Sequence, residues 1–343
     1  MRRIALLARR RLGWAVAAAL LLAAGPAAAQ TITWQMANEY PATSIHGEGD
    51  QFFARELGER SGGRIVITHS FDASLGYRSK DLLQAVARGT VVVGDMYVGA
   101  LGDVHPIFLL PSLPFLAVTP EEARLLTDVA GPEYDRVLAR QNQKLLYPSP
   151  WPPAGIWARK PVTSMEALRG LRIRTPDGNG TATFRAAGAQ PAQISFADAL
   201  PRLKSGEIEA VLSSGDGGAG QRLWEYLNHF TAINYSMTMS MVTMNLDAWN
   251  GLRPELKLAV LGAAQATSER QWAEIRNRVA VNYERMRANG VGITTEIPPE
   301  FLEALGKAGR VTIDEWRAKA GPRARKSSTS TARSSTGADQ QPL

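Results

Sequence analysis

Apolar positions along this chain change period repeatedly. Arg64–Phe71 (RIVITHSF) and Thr90–Val98 (TVVVGDMYV) cluster β-branched residues at strand length, and Lys80–Arg88 (KDLLQAVAR) between them has the spacing of an amphipathic helix. A first strand is expected over Thr31–Ala37. After Trp151 the alternation returns. Leu171–Thr175, Gln193–Phe196, Ile208–Ser213 and Met239–Asn245 read as strands, with helices over Thr181–Ala187, Ala197–Ser205 and Gln221–Leu227. This pattern predicts an α/β fold with mostly parallel sheets. From Pro254 to Ala288 the chain runs without an internal proline to Asn289-Gly290, a helix stop signal. At 1.5 Å per residue that helix would be about 50 Å long, enough to brace two domains.

The amino terminus has a different pattern. Arg2, Arg3 and Arg9–Arg11 precede an apolar run from Trp14 to Ala24 and the small residues Ala27–Ala29. This order predicts a secretory signal peptide over 1–29, cleaved after about Ala29, by the Sec or the twin-arginine route. The run is too short for a membrane span, which takes about 20 apolar residues. The expected location of the mature chain is therefore the periplasm.

Composition removes several chemistries. The chain has no cysteine, so disulfides, thiolate metal sites and a lipid-bearing cysteine are excluded. The pI of 9.8 suggests nucleic acid until the charges are placed. Residues 1–30 and 317–343 hold eleven basic residues and one acid; the 28 basic and 31 acidic residues between them leave a net charge of −3. A near-neutral body argues against a phosphate-binding surface, and no nucleic-acid partner is expected. Residues 319–343 read as a disordered basic tail.

His46, His69, His105 and His229 lack metal-binding spacing, and HExxH, G-x-S-x-G and P-loop motifs are absent. No enzyme, metal or cofactor is expected. His46 alone draws attention, in a polar stretch just after the first strand. Gly215, Gly217 and Gly220 spell G-x-G-x-x-G, but a dinucleotide site wants an acid about 20 residues on, and residues 233–240 contain none. A flexible turn facing a ligand is the better reading.

The most informative segment is Gly170–Phe196. Strand alternation puts Arg172 and Arg174 on one face of Leu171–Thr175, and Pro176 ends the ladder just after. Ligands in open α/β sheets sit beyond the carboxyl ends of strands. Arg174 is better placed than Arg172 to grip a carboxylate with a planar guanidinium, although both could be surface charges.

The sequence here resembles the solute-binding subunits of tripartite ATP-independent periplasmic (TRAP) transporters. The match runs through Gly170-Leu-Arg-Ile-Arg-Thr-Pro176, Gly188-Ala-Gln-Pro191, Phe196-Ala-Asp198 and Leu203–Glu209. It extends over roughly 31–318, taking in Ser61–Ile65, Ser74–Gly76 and Leu109–Leu116. The resemblance implies a two-domain periplasmic clamshell with hinge strands and a long bracing helix. Domain I would hold 30–151 plus about 240–280, and domain II 152–239 plus about 281–318. It also implies that Arg174 holds a ligand carboxylate between closing domains, and that TRAP permease subunits are the partners.

Two departures bear on the ligand. Many relatives have another arginine about twenty positions upstream, where Ala154 lies in Trp151–Trp157; many have Glu-Asn where this chain has Leu212-Ser213-Ser214. Two polar groups are lost, and Trp151 and Trp157 stand nearby. The expectation is a monocarboxylate with an apolar or aromatic body, provided that the tryptophans do not simply pack in the hinge. The candidate binding residues are Arg174, Phe196, Ser213, Trp157, Tyr97, Ser44, Glu39 and Asn234, with Tyr40 and Tyr235 beside them. Asp177 and Asp198 are expected to be a turn residue and a helix-start acid. A periplasmic sensor feeding a signalling partner is the alternative function.

Overall fold

The computed structural model describes residues 31–320; the signal peptide expected over 1–29 and the basic tail expected over 319–343 lie outside the described residues, save for Lys319 and Ala320. Two mixed sheets form two lobes. The first has strand order β2-β1-β3-β10-β4, from β1 (Ile32–Asn38), β2 (Ile65–Ser70), β3 (Val93–Tyr97), β4 (Gln143–Pro150) and β10 (Met239–Asn245). It is covered by α1 (Ile45–Arg60), α2 (Ser79–Ala87) and α3 (Pro120–Ala139).

The second sheet has order β11-β9-β5-β8-β6-β7, from β5 (Ala154–Ala158), β6 (Arg172–Thr175), β7 (Gln190–Gln193), β8 (Ala210–Ser214), β9 (His229–Thr231) and β11 (Gly292–Thr294). Its helices are α4 (Met165–Leu168), α5 (Gly178–Ala186), α6 (Phe196–Lys204) and α7 (Gly215–Gly220). The sheets are less parallel than expected. β10 is antiparallel to both β3 and β4, and β5 to both β8 and β9. Each belongs to a segment that crosses between lobes, and so enters its sheet against the direction of the βα units.

The crossings lie side by side. Trp151 N donates to Thr238 O at 2.8 Å, Ala154 N to Ser236 O at 3.0 Å and Tyr235 N to Ala154 O at 2.8 Å, forming a hinge. After α8 (Leu246–Asn250) the brace α9 spans Pro254–Ala288, as its sequence predicts. Its Leu256, Val260 and Ala263 pack with Trp34, Phe53 and Leu57 of the first lobe, while Met286 packs with Trp157 and Phe230 of the second. The last helix, α10 (Pro299–Lys319), also bridges. Phe301 and Leu305 sit in the second core, and Trp316 enters the first, donating to Pro106 O at 2.7 Å.

Local chemistry moved three expected boundaries. Gln193–Phe196 is not a strand: the Ser195 side chain caps α6, so Phe196 begins a helix. The Asp177 side chain caps α5 and starts that helix at Gly178. The glycine-rich segment forms helix α7, capped by the Ser214 side chain, and the helix expected over Gln221–Leu227 shrinks to a 3-10 turn at Leu223–Glu225.

Candidate functional site

A cavity of about 40 Å³ lies where the hinge meets the carboxyl ends of β3, β6 and β8. The first lobe contributes Tyr40, Tyr97 and Trp151, the second Arg174, Asp177, Phe196, Leu212, Ser213 and Gly217, and the hinge Ala154, Tyr235, Ser236 and Thr238.

Arg174 comes from β6, whose two arginines share a face but differ in depth, Arg172 at the exposed start of the strand and Arg174 buried near its carboxyl end. Arg172 is exposed and pairs with Glu209 at 3.0 Å. Arg174 is 3% exposed, its Nε donating to Ile194 O at 2.8 Å and its Nη1 to Leu212 O at 3.1 Å. Nη2 makes no protein hydrogen bond among the described residues. Burial pushes the guanidinium's pKa down, opposed by the fields of Tyr40, Tyr97, Glu39 and Asp177. Two carbonyls thus fix the plane of a charge that an arginine does not give up at physiological pH.

The walls are aromatic. Tyr40 packs at 4.6 Å from Trp151 and 4.5 Å from Phe196, which carries the cluster across the cleft. Trp151 is anchored by Nε1 donating to Ser240 Oγ at 3.2 Å, and the buried His46 ring lies behind it at 3.9 Å. Burial raises the Tyr40 and Tyr97 pKa values well above the usual phenol, so both hydroxyls stay protonated donors. Tyr97 donates to Asp177 Oδ2 at 2.5 Å across the cleft. Asp177, 1% exposed, also accepts from Gly180 N at 2.9 Å, and burial raises its pKa. Ser236 Oγ is buried without a hydrogen-bond partner among the described residues.

Around the cavity the lobes are tied shut. Glu39 Oε2 accepts from Ser79 N and Oγ, both at 2.8 Å, while Oε1 accepts from Ala197 N of α6 at 3.0 Å. Arg78 pairs with Asp198 at 2.6 Å. Asp216 of α7 accepts from Ile45 N at 3.0 Å and from Arg278 of the brace, whose Nη1 reaches Glu48 at 2.9 Å.

Of the residues expected from sequence, the structure brings Arg174, Phe196, Ser213 and Tyr97 to the cavity, with Tyr40, Trp151 and Tyr235. Four do not line it. Trp157 is three residues beyond the cavity-lining Ala154, hence on the opposite face of β5; it packs against Phe230 and donates to Ser214 O at 3.2 Å. Ser44 caps α1, accepting from Gly47 N and donating to Pro41 O. Asn234 is exposed in the left-handed region, φ 47°, two residues before Ser236, which does line the cavity. Glu39 stands at the mouth as an interlobe tie. Sequence reading missed Ser236, and it reduced Asp177 to a turn; its place just after the Pro176 strand stop was the available signal. Asp198 does start a helix, with an interlobe ion pair besides.

Residues 36–319 match the family model of bacterial extracellular solute-binding proteins, family 7 (DctP). The chain belongs to that family. Members are receptors and not enzymes, and the two sheets, hinge and brace are their two-domain clamshell. Among curated relatives, the 2,3-diketo-L-gulonate-binding periplasmic protein of Escherichia coli is 24% identical over 259 residues, 74% of this chain and 78% of that one. A Bordetella pertussis extracytoplasmic solute receptor that binds pyroglutamic acid superposes with a TM-score of 0.84 and 27% identity, covering 88% of this chain and all of its own. A marine metagenome TRAP receptor specific for pyroglutamate superposes equally well, at 27% identity over 89% and 99% of the two chains.

Proposed function

We propose that this family 7 receptor captures a compact monocarboxylate with a largely apolar body, pyroglutamate being the leading candidate, and delivers it to a TRAP permease. One observation carries the reading: Arg174 is buried at the cleft with its plane fixed by two carbonyls and one amino group left over. That is how a guanidinium is held ready for a ligand carboxylate. A second arginine is missing from the lining, where Ala154 stands, so a second ligand carboxylate has no counterion there. The aromatic walls suit a flat or cyclic body, and the small cavity a ligand of few heavy atoms. The two pyroglutamate receptors at 27% identity support the same class.

With this reading go a signal peptide removed after about Ala29, release into the periplasm and the domain division at Trp151 and about residue 240. Mass spectrometry of the exported protein tests the cleavage site. Calorimetric titration with monocarboxylates, dicarboxylates and uronates tests the ligand class. Arg174→Ala should weaken binding by about 3–5 kcal/mol, the usual cost of stripping a buried charge of its partner. Near-normal affinity in that variant, or affinity for uncharged sugars alone, would overturn the assignment.

A further inference from the structure

Only two lining residues of the cavity carry full charges, Arg174 and Asp177. They are 3% and 1% exposed, so water does little to screen either. If the ligand carboxylate takes Arg174, as proposed above, Asp177 must be answered by something else. Its present donors are the Tyr97 hydroxyl and Gly180 N. An ionised carboxylate accepts about four hydrogen bonds, so capacity remains on a group that faces the ligand space.

We infer that Asp177 is a specificity-determining residue, which selects carboxylates carrying an N–H or O–H donor on the body and rejects those presenting only acceptors. The physical reason is asymmetric. A donor against Asp177 completes a buried, charge-assisted hydrogen bond. A ring oxygen in the same place sets lone pair against lone pair, and a second carboxylate adds like charge in a dry site. The orphan hydroxyl of Ser236 complements this, because it can donate to a carbonyl on the same ligand. Carboxylate, donor and acceptor together describe a lactam, amide or hydroxy acid.

Two near-isosteric probes isolate the effect: L-pyroglutamate, with a ring N–H, and the corresponding γ-lactone carboxylate, with oxygen in its place. Calorimetric titration of the mature wild-type chain should favour the lactam by about ten- to a hundredfold, the usual cost of leaving a buried polar group unpaired. Asp177→Asn should bring the two ligands to near-equal affinity, since an amide can turn either its oxygen or its nitrogen to the ring. Asparagine caps helices as well as aspartate does, so α5 should survive, and thermal melting checks it. Tyr97→Phe, which leaves Asp177 with one donor fewer, should keep or widen the lactam preference and serves if Asp177→Asn does not fold. Equal wild-type affinity for the two probes, an unchanged ratio in Asp177→Asn or a narrowed one in Tyr97→Phe overturns the inference and leaves the carboxylate reading standing. Wild-type binding of neither probe overturns the compact-ring reading and this inference with it.

Discussion

At the scale of single residues, parity along a strand was the readable signal. It put Arg174 on one face with Arg172, the strand stop at Pro176 then marking Arg174 as the residue nearer the ligand end, and, applied to Ala154–Trp157, it would have placed the tryptophan on the far face. What no local pattern announced is a buried polar cluster behind Trp151. Asn38 Nδ2 donates to Asp50 at 2.7 Å and to Asp95 at 3.1 Å, Tyr147 donates to Asp50 at 3.2 Å, and His46 Nδ1 lies 3.9 Å from Asp95. Residues far apart in sequence meet there only because β1, β3 and α1 fold together. Burial pushes the Asp95 carboxyl up to about 7 and raises Asp50 as well, so the pair holds a proton that the unfolded chain has already lost above about pH 4. The folded state then binds more protons than the unfolded one between about pH 4 and 7. Stability from this pair is fully present below that window and is lost as pH rises through it. Buried His46, its pKa lowered by burial, acts in the opposite sense, losing stability as pH falls below about 6.5. Comparing melting curves of the wild type and Asp95→Asn cancels the histidine to first order. The variant should gain on the wild type from pH 4.5 to 8, at about 1.4 kcal/mol per pH unit at most. A difference flat with pH would remove the proton from the pair.

Among the elements, those defined by long or clean periodicity were legible. Pro254–Ala288 and Met239–Asn245 have the bounds that their sequences predict. Elements governed by one capping side chain were not: Ser195, Asp177 and Ser214 each begin a helix where periodicity gave a strand, a later start or a turn. Helix α7 is the instructive case, because six residues with four glycines have poor helix propensity. Two of its glycines sit where close packing leaves no room for a side chain. A Cβ at Gly218 would lie 2.1 Å from the Trp157 ring, and one at Gly217 would lie 2.5 Å from Ser213 Oγ. Propensity alone favours Gly218→Ala by up to about 1 kcal/mol. The clash with an immobile core indole outweighs it, so this change should destabilise the fold by about 1–3 kcal/mol, read as a lower melting temperature. An unchanged or raised melting temperature would mean that Trp157 has room to move, and that the glycine helix needs another reason.

At the scale of the whole molecule, length and the family resemblance made the clamshell legible, but which residues hold it shut emerges only where the lobes meet. Glu39 is the informative tie. Its carboxylate joins the start of α2 to the start of α6, and it is 3% exposed with the lobes together. Opening the cleft breaks the bond to Ala197 N and returns that donor to water, so the tie exists in one state only. Such an interaction biases the equilibrium between open and closed forms, whereas one present in both would not. Ligand affinity depends on the population of the closed form, since the cavity wall is complete only when Phe196 meets Tyr40. Glu39→Ala should therefore weaken ligand binding by about 1.5–3 kcal/mol, the range for hydrogen bonds to a charged group, without touching the cavity lining. Small-angle scattering should then give a larger radius of gyration for the ligand-free variant than for the ligand-free wild type, with the two converging at saturating ligand. If scattering and affinity both stay at wild-type values, closure is governed elsewhere, and the Asp216–Arg278 junction on the brace becomes the element to cut.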